Sequence, residues 1–185
     1  MFRNTRTSWG AVAKSLHWLL AVAIAGQYVL GKLAENAPVS PRKLDLFVWH
    51  KSIGLCILLL VGMRIAWRLA NTPPDPVPGT RSWEQGVARA AHALLYLLLV
   101  AVPLSGWWVS DTSRIPFKLF WQLPVPDLLA ADRAASEAAE LVHSSLTTAL
   151  LILVSLHVLA ALRHHFLLHN DTLRRMLPMF RGAGK

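Results

Sequence analysis

Four long apolar segments, each closed off by charge or proline, leave this chain few ways to fold. They run from about Lys14 to Leu33, Leu44 to Leu69, Val87 to Ser110 and Glu137 to Leu168. The second is interrupted only by Asp45 and Lys51 near its start, before Arg64 and Arg68 end it. The fourth holds an uncharged stretch from Leu141 to Leu162, and about twenty apolar residues in a helix cross the hydrocarbon of a bilayer. With 54% hydrophobic residues in a chain of 185, the expected fold is all-α. It is an integral membrane, antiparallel four-helix bundle forming one domain over residues 1–185. The first segment follows basic residues as a secretory signal would. It nevertheless carries His17 and Trp18 at its entrance and lacks a small-residue cleavage site followed by a soluble domain, so it reads as a retained helix.

Charge gives the orientation. The side holding both termini has twelve basic residues: Arg3, Arg6, Lys14, Arg64, Arg68, Arg81, Arg89, Arg163, Arg174, Arg175, Arg181 and Lys185. Against these stand three acids, Asp75, Glu84 and Asp171, so this side accounts for the whole net charge of +9. Lys and Arg collect in cytoplasmic loops, which puts both termini in the cytoplasm of a bacterial inner membrane. The basic balance then reflects topology, and no nucleic-acid partner is needed to explain it. Residues 71–80, NTPPDPVPGT, are too rich in proline for a helix and form an extended cytoplasmic link. The longest connection, from Asp111 to about Ser136, contains PFKLFWQLPVPDLL, a segment suited to the membrane interface and able to cover the outer end of the bundle.

Inside this frame the histidines carry the chemistry. His143 and His157 lie fourteen residues apart on the fourth segment, which is a rise of roughly 21 Å and almost four turns, so both rings leave nearly the same face at opposite depths. Depth sorts the others. His50 shares the outer level with His143, while His17, His92 and His157 form an inner group. A polar ring in hydrocarbon needs a partner. Two histidines from facing helices at one depth suit the axial positions of a b-type haem, and two levels suit two haems stacked across the membrane. Gly54 and Gly62 on the second helix, with Ala21 and Ala25 on the first, leave room for a flat ring. For any one membrane histidine the simpler role is an interhelical hydrogen bond; pairing by depth argues against that for the set. The single cysteine, Cys56, excludes a cluster, an intrachain disulfide and CxxCH attachment, and is most simply a core residue. A zinc or copper site would gather three or four donors at one point. Walker, dinucleotide-binding and nucleophile-elbow motifs are absent.

Five blocks resemble the bacterial cytochrome b561 family of membrane dihaem cytochromes: SLHWLL at 15–20, HKSIG at 50–54, RIAWRL at 64–69, AHALLYLLLVAVPLSGW at 91–107 and LHVLAALRHHFLLHNDTLRRMLP at 156–178. The resemblance spans nearly the whole chain. It implies one haem b on His50 and His143 toward the periplasm and a second on His17 and His157 toward the cytoplasm. Depth alone left His17 and His92 as equals; the resemblance selects His17. It also implies electron transfer linked to ubiquinone, and the family includes a superoxide oxidase that draws electrons from periplasmic superoxide. The alternative is a haem-binding relay subunit between the quinone pool and a redox protein partner. A four-helix proton-coupled transporter lacks the broken helices and inverted repeats that such proteins use.

On the leading reading, Lys51, Arg114, Lys118 and Arg133 are candidates for guiding a small anion, Lys51 first because it follows a proposed ligand. Its simpler roles are snorkelling or pairing with a haem propionate. His92, with His164 or His165, is a candidate quinone ligand or proton relay. The simpler role of His164, His165 and His169 is that of interfacial residues at a helix end. Arg64, Arg68 and Arg163 read as topology determinants or propionate partners, Trp18 and Tyr96 as packing anchors, and Pro103 as a bend in the third helix.

Overall fold

A computed structural model describes residues 1–113, 117–126 and 128–178. Four helices, α1 (Ala11–Asn36), α2 (Pro41–Ala70), α3 (Ser82–Thr112) and α4 (Arg133–Leu162), are each long and apolar enough to cross a membrane. Successive helices run antiparallel, and close packing runs from α1 to α2, α2 to α3 and α3 to α4. The chain is a four-helix membrane bundle.

The helices outrun their apolar stretches. Hydropathy ends where charge begins, but a helix ends where its terminal N–H and C=O groups find other partners. Ser40 accepts the Lys43 N–H ahead of Pro41 at the first helical position, and Asp132 accepts the Ala135 N–H at 2.7 Å. Glu84 accepts the Arg81 N–H at 3.2 Å and starts α3 at Ser82 rather than Val87. In the added turns, charges pair within the helix, as Lys32 with Glu35 and Arg133 with Glu137. Pro103 does not interrupt α3. At the other end of α4 the α-helix expected to reach Leu168 stops at Leu162 and continues as a π-helical turn, Arg163–Leu167.

A dry cluster of Leu20, Ile57 and Val61, flanked by Ala23, Ile24, Ile53, Leu60, Ile65, Leu99 and Val100, joins α1, α2 and α3. No residue of α4 belongs to it. Elsewhere the helices turn apolar side chains such as Leu19, Val22, Leu59, Leu97, Ile152 and Leu159 outward, as lipid contact requires.

Both ends of the bundle are covered. At the end carrying the termini, Arg6 pairs with Asp75 at 3.0 Å, Arg175 donates to the Asp75 carbonyl at 2.8 Å and Asn4 to the Thr72 carbonyl at 3.1 Å. Trp18 Nε1 donates to the Met176 carbonyl at 2.9 Å, so the proline-rich link is tied to both chain ends. A side chain at Gly10 would collide with the Phe2 and Arg3 backbone, which folds back against the start of α1. At the opposite end the α3–α4 connection forms a small antiparallel hairpin, β1 (Lys118–Leu119) and β2 (Leu123–Pro124), and lies over α2 as expected of a cover. Phe120 donates its N–H to Ser52 Oγ at 2.9 Å, and both Phe120 and Trp121 meet the edge of Trp49. Arg114, Arg181 and Lys185 lie outside the described residues.

Candidate functional site

At the hairpin end, His50 on α2 faces His143 on α4 with ring centroids 6.4 Å apart and planes at 88°. A glycine of the neighbouring helix lies against each ring. A Cβ added at Gly31 would stand 2.8 Å from His50 Cε1, and one at Gly106 would stand 3.1 Å from His143 Cε1. The two rings therefore occupy space that any other residue on α1 or α3 would deny them. His143 Nδ1 lies 3.0 Å from the Val102 carbonyl and 3.0 Å from Ser105 Oγ, while Ser105 itself donates to Val102 at 2.7 Å. A carbonyl only accepts, so Nδ1 carries the proton and Nε2 is left as the free donor atom. On the other side Gln27 Nε2 donates to the His50 carbonyl at 2.6 Å, and His50 Nδ1 is buried without a hydrogen-bond partner among the described residues.

At the termini end three histidines meet. His17 and His157 have centroids 6.2 Å apart at 70°, and His92 stands 5.5 Å from His157 at 72°. Arg64 donates through one nitrogen to the Ala13 carbonyl at 2.9 Å, and its other terminal nitrogen lies 3.3 Å from His17 Nδ1. Arg68, one helical turn on, lies over the Tyr96 ring at 5.6 Å.

Two imidazoles bonded at about 2 Å to opposite sides of one metal ion have ring centroids about 6.3 Å apart. The pairs His50–His143 and His17–His157 match that separation; His92–His157 falls short of it. Among the described residues no three His, Cys, Asp or Glu side chains converge as metal donors, so the arrangement offers two-donor sites rather than a zinc-type cage. The donors fit axial ligation of a haem at each end of α4.

The other candidates from sequence fall nearby or apart. Lys51 lies beneath the hairpin with its ammonium 5.5 Å from the centre of the Phe117 ring. Lys118 is exposed, and Arg133 is engaged by Glu137 at 2.9 Å. His164 accepts from the Asn170 amide at 2.8 Å, and Asn170 lines a pocket of about 360 Å³ with Arg81, Trp83, Glu84, Arg163 and Leu168. His92 belongs to the inner histidine cluster and does not line this pocket. Gly54, expected to make room beside His50, instead faces Gln27, and Gly62 faces open space. Sequence reasoning did not single out Gly31, Gly106, Ser105 or Gln27. Each touches its histidine from a different helix, and helical spacing relates only residues on one.

The family model for prokaryotic cytochrome b561 matches residues 8–179. The chain belongs to the prokaryotic cytochrome b561 family. It is thus a multi-pass bacterial membrane protein of haem electron transfer, and membership implies b-type haem. Among its relatives, Cytochrome b561 homolog 2 of Escherichia coli (strain K12) is 34% identical over 180 residues, covering 95% of this chain and 94% of the relative. Probable superoxide oxidase CybB of Yersinia pestis is 31% identical over 170 residues, covering 90% and 94%. Cytochrome b562 of Cereibacter sphaeroides is 27% identical over 169 residues, covering 88% and 90%. The b561 resemblance read from the five sequence blocks is borne out.

Proposed function

We propose that this cytochrome b561 is a superoxide:ubiquinone oxidoreductase with two haems b, one held by His50 and His143 and the other by His17 and His157. The observation that carries the reading is the pair of metal-spanning imidazole separations, 6.4 and 6.2 Å, at opposite ends of one helix. Bound there, each haem supplies a reversible one-electron carrier with no open coordination position. Two superoxide anions give two electrons and leave as dioxygen; one quinone takes both, with two protons, to become quinol. A relative at 31% identity is named as a probable superoxide oxidase, and that name supports the choice of donor.

The protein's own residues have defined tasks in this scheme. Gly31 and Gly106 let the outer rings seat, and the Val102 carbonyl holds His143 in the tautomer whose Nε2 is free. The hairpin on Ser52 and Trp49 shields the outer pair from bulk water. Lys51, beside His50, supplies positive charge for an approaching anion. The pocket at Arg163 and Asn170 is of a size for a quinone headgroup, with His164 one hydrogen bond behind Asn170 as a candidate proton relay. His92, against His157, is a second candidate for that relay. The lipid bilayer is the route of the quinone, and both termini face the cytoplasm.

Purified protein would be mixed with superoxide in a stopped-flow instrument, with and without a short-chain ubiquinone. The expected result is haem reduction within the mixing experiment, then quinone-dependent reoxidation with quinol formed. Haem that superoxide leaves oxidised, but that another redox protein reduces, identifies the chain as a relay subunit instead.

A further inference from the structure

The two histidine pairs differ in what stands behind their ligand rings. Behind His143 is an acceptor: Nδ1 has the Val102 carbonyl and Ser105 Oγ, each at 3.0 Å. A hydrogen bond given by Nδ1–H to an oxygen makes an imidazole a stronger donor, which favours the oxidised state of the iron it binds. Behind His17 is a cation: a guanidinium nitrogen of Arg64 lies 3.3 Å from Nδ1. That guanidinium is anchored independently by its bond to the Ala13 carbonyl at 2.9 Å, so its place does not depend on His17 accepting from it. Arginine stays charged at any accessible pH. When Nε2 of His17 binds iron and Nδ1 carries the proton, two donors face each other there, and Arg64 acts as fixed positive charge through a medium of low dielectric. Arg68 adds a second guanidinium one helical turn on, over Tyr96. At the other end Lys51 follows His50 in the chain, and its ammonium lies over the Phe117 ring at 5.5 Å.

We propose that the two pairs are graded in electron affinity, with the His17–His157 pair the stronger acceptor, and that Arg64 sets most of the difference. This rests on the reading of both pairs as haem ligands. One electron moves from the outer site to the inner site and no atom moves with it. Superoxide is the reductant at one end and a quinone the oxidant at the other, so the grade drives flow toward the termini end. Arg64 is then an electrostatic positioning residue, not a catalytic one.

The test is an equilibrium redox titration of the purified dihaem protein, followed in the reduced haem absorption band, with no superoxide or quinone present. Two midpoints are expected. Arg64→Gln lowers the higher midpoint and leaves the lower in place; Arg64→Lys, which keeps the charge, retains most of the wild-type value; Ser105→Ala raises the lower midpoint. Should Arg64→Gln fail to assemble, the single-pair variants give the answer. His143→Ala keeps the inner haem and His157→Ala the outer, and the former must titrate at the higher potential. The grading is overturned if Arg64→Gln moves neither midpoint or only the lower, or if the single-pair order is reversed. A haem count made first separates this from failure of the ligand reading: wild-type protein with one haem, or histidine variants that keep both, overturns the ligation itself.

Discussion

At the residue scale, two glycines fit closely against two imidazoles. A Cβ at Gly31 would come within 2.8 Å of His50, closer than side-chain atoms approach without displacement, and Gly106 leaves His143 little more room. Gly31→Ala should therefore tilt His50 off its partner and cost the outer haem while the inner one stays, read as half the haem per protein by pyridine haemochrome assay. Gly106→Ala should act in the same direction but less completely, because its contact is 3.1 Å. Lys51→Gln should slow superoxide-dependent haem reduction several-fold at low ionic strength. The difference from wild type should shrink as salt rises past about 0.15 M, since screening removes charge guidance over that range. The facing of His50 with His143 and the inner grouping of His17, His92 and His157 were legible in the chain, because depths follow from helix length and faces from helical period. The neighbours of these rings were not. Ser105, Gln27 and Arg64 reach their histidines across helix interfaces, and a pattern within one helix carries no trace of what the facing helix presents.

At the element scale, the hairpin and the π-helical turn are the parts that hydropathy could not draw. Phe120 and Trp121 sit at φ 48° and 63°, in the left-handed region, a conformation that costs about 1–3 kcal/mol for each residue with a side chain. Ser52, fully buried, holds Phe120 by one hydrogen bond, and Trp49 meets both aromatic rings. Ser52→Ala should release the hairpin, seen as faster amide hydrogen exchange at residues 117–124 with the four helices unchanged. The aromatic and proline content of this connection did point to a covering segment, but the strand pairing rests on two residues per strand, too short for any alternation to register. In the same way the apolar run of α4 passes smoothly through Arg163–Leu167 and gives no sign that the hydrogen-bond register widens there. Such turns often mark functional positions, and this one borders the pocket formed with Arg81 and Glu84.

At the scale of the whole molecule, helix number and order could be read from the sequence because each uncharged stretch is long and each break is charged or proline-rich. The same charges carry the orientation. Twelve basic residues on the termini side of the sequence against three acids predict cytoplasmic termini. A C-terminal fluorescent protein should fluoresce in intact bacteria, whereas an alkaline phosphatase fused there should be inactive; the opposite pair of results would invert the topology. Helix ends were misjudged by several residues, since α1 and α4 continue through Lys32–Glu35 and Arg133–Glu137 pairs that a hydropathy reading counts as loop.

The dry cluster of Leu20, Ile57 and Val61 draws on α1, α2 and α3 alone, and α4 supplies a histidine to each facing pair. Three helices can thus consolidate by ordinary packing; the fourth packs closely along α3 but is fastened to α1 and α2 through whatever its two imidazoles share with theirs. Assembly of this protein then becomes a question of supply. In cells starved of haem the chain should insert and hold its first three helices together, yet remain open along one seam until the cofactor arrives to close it.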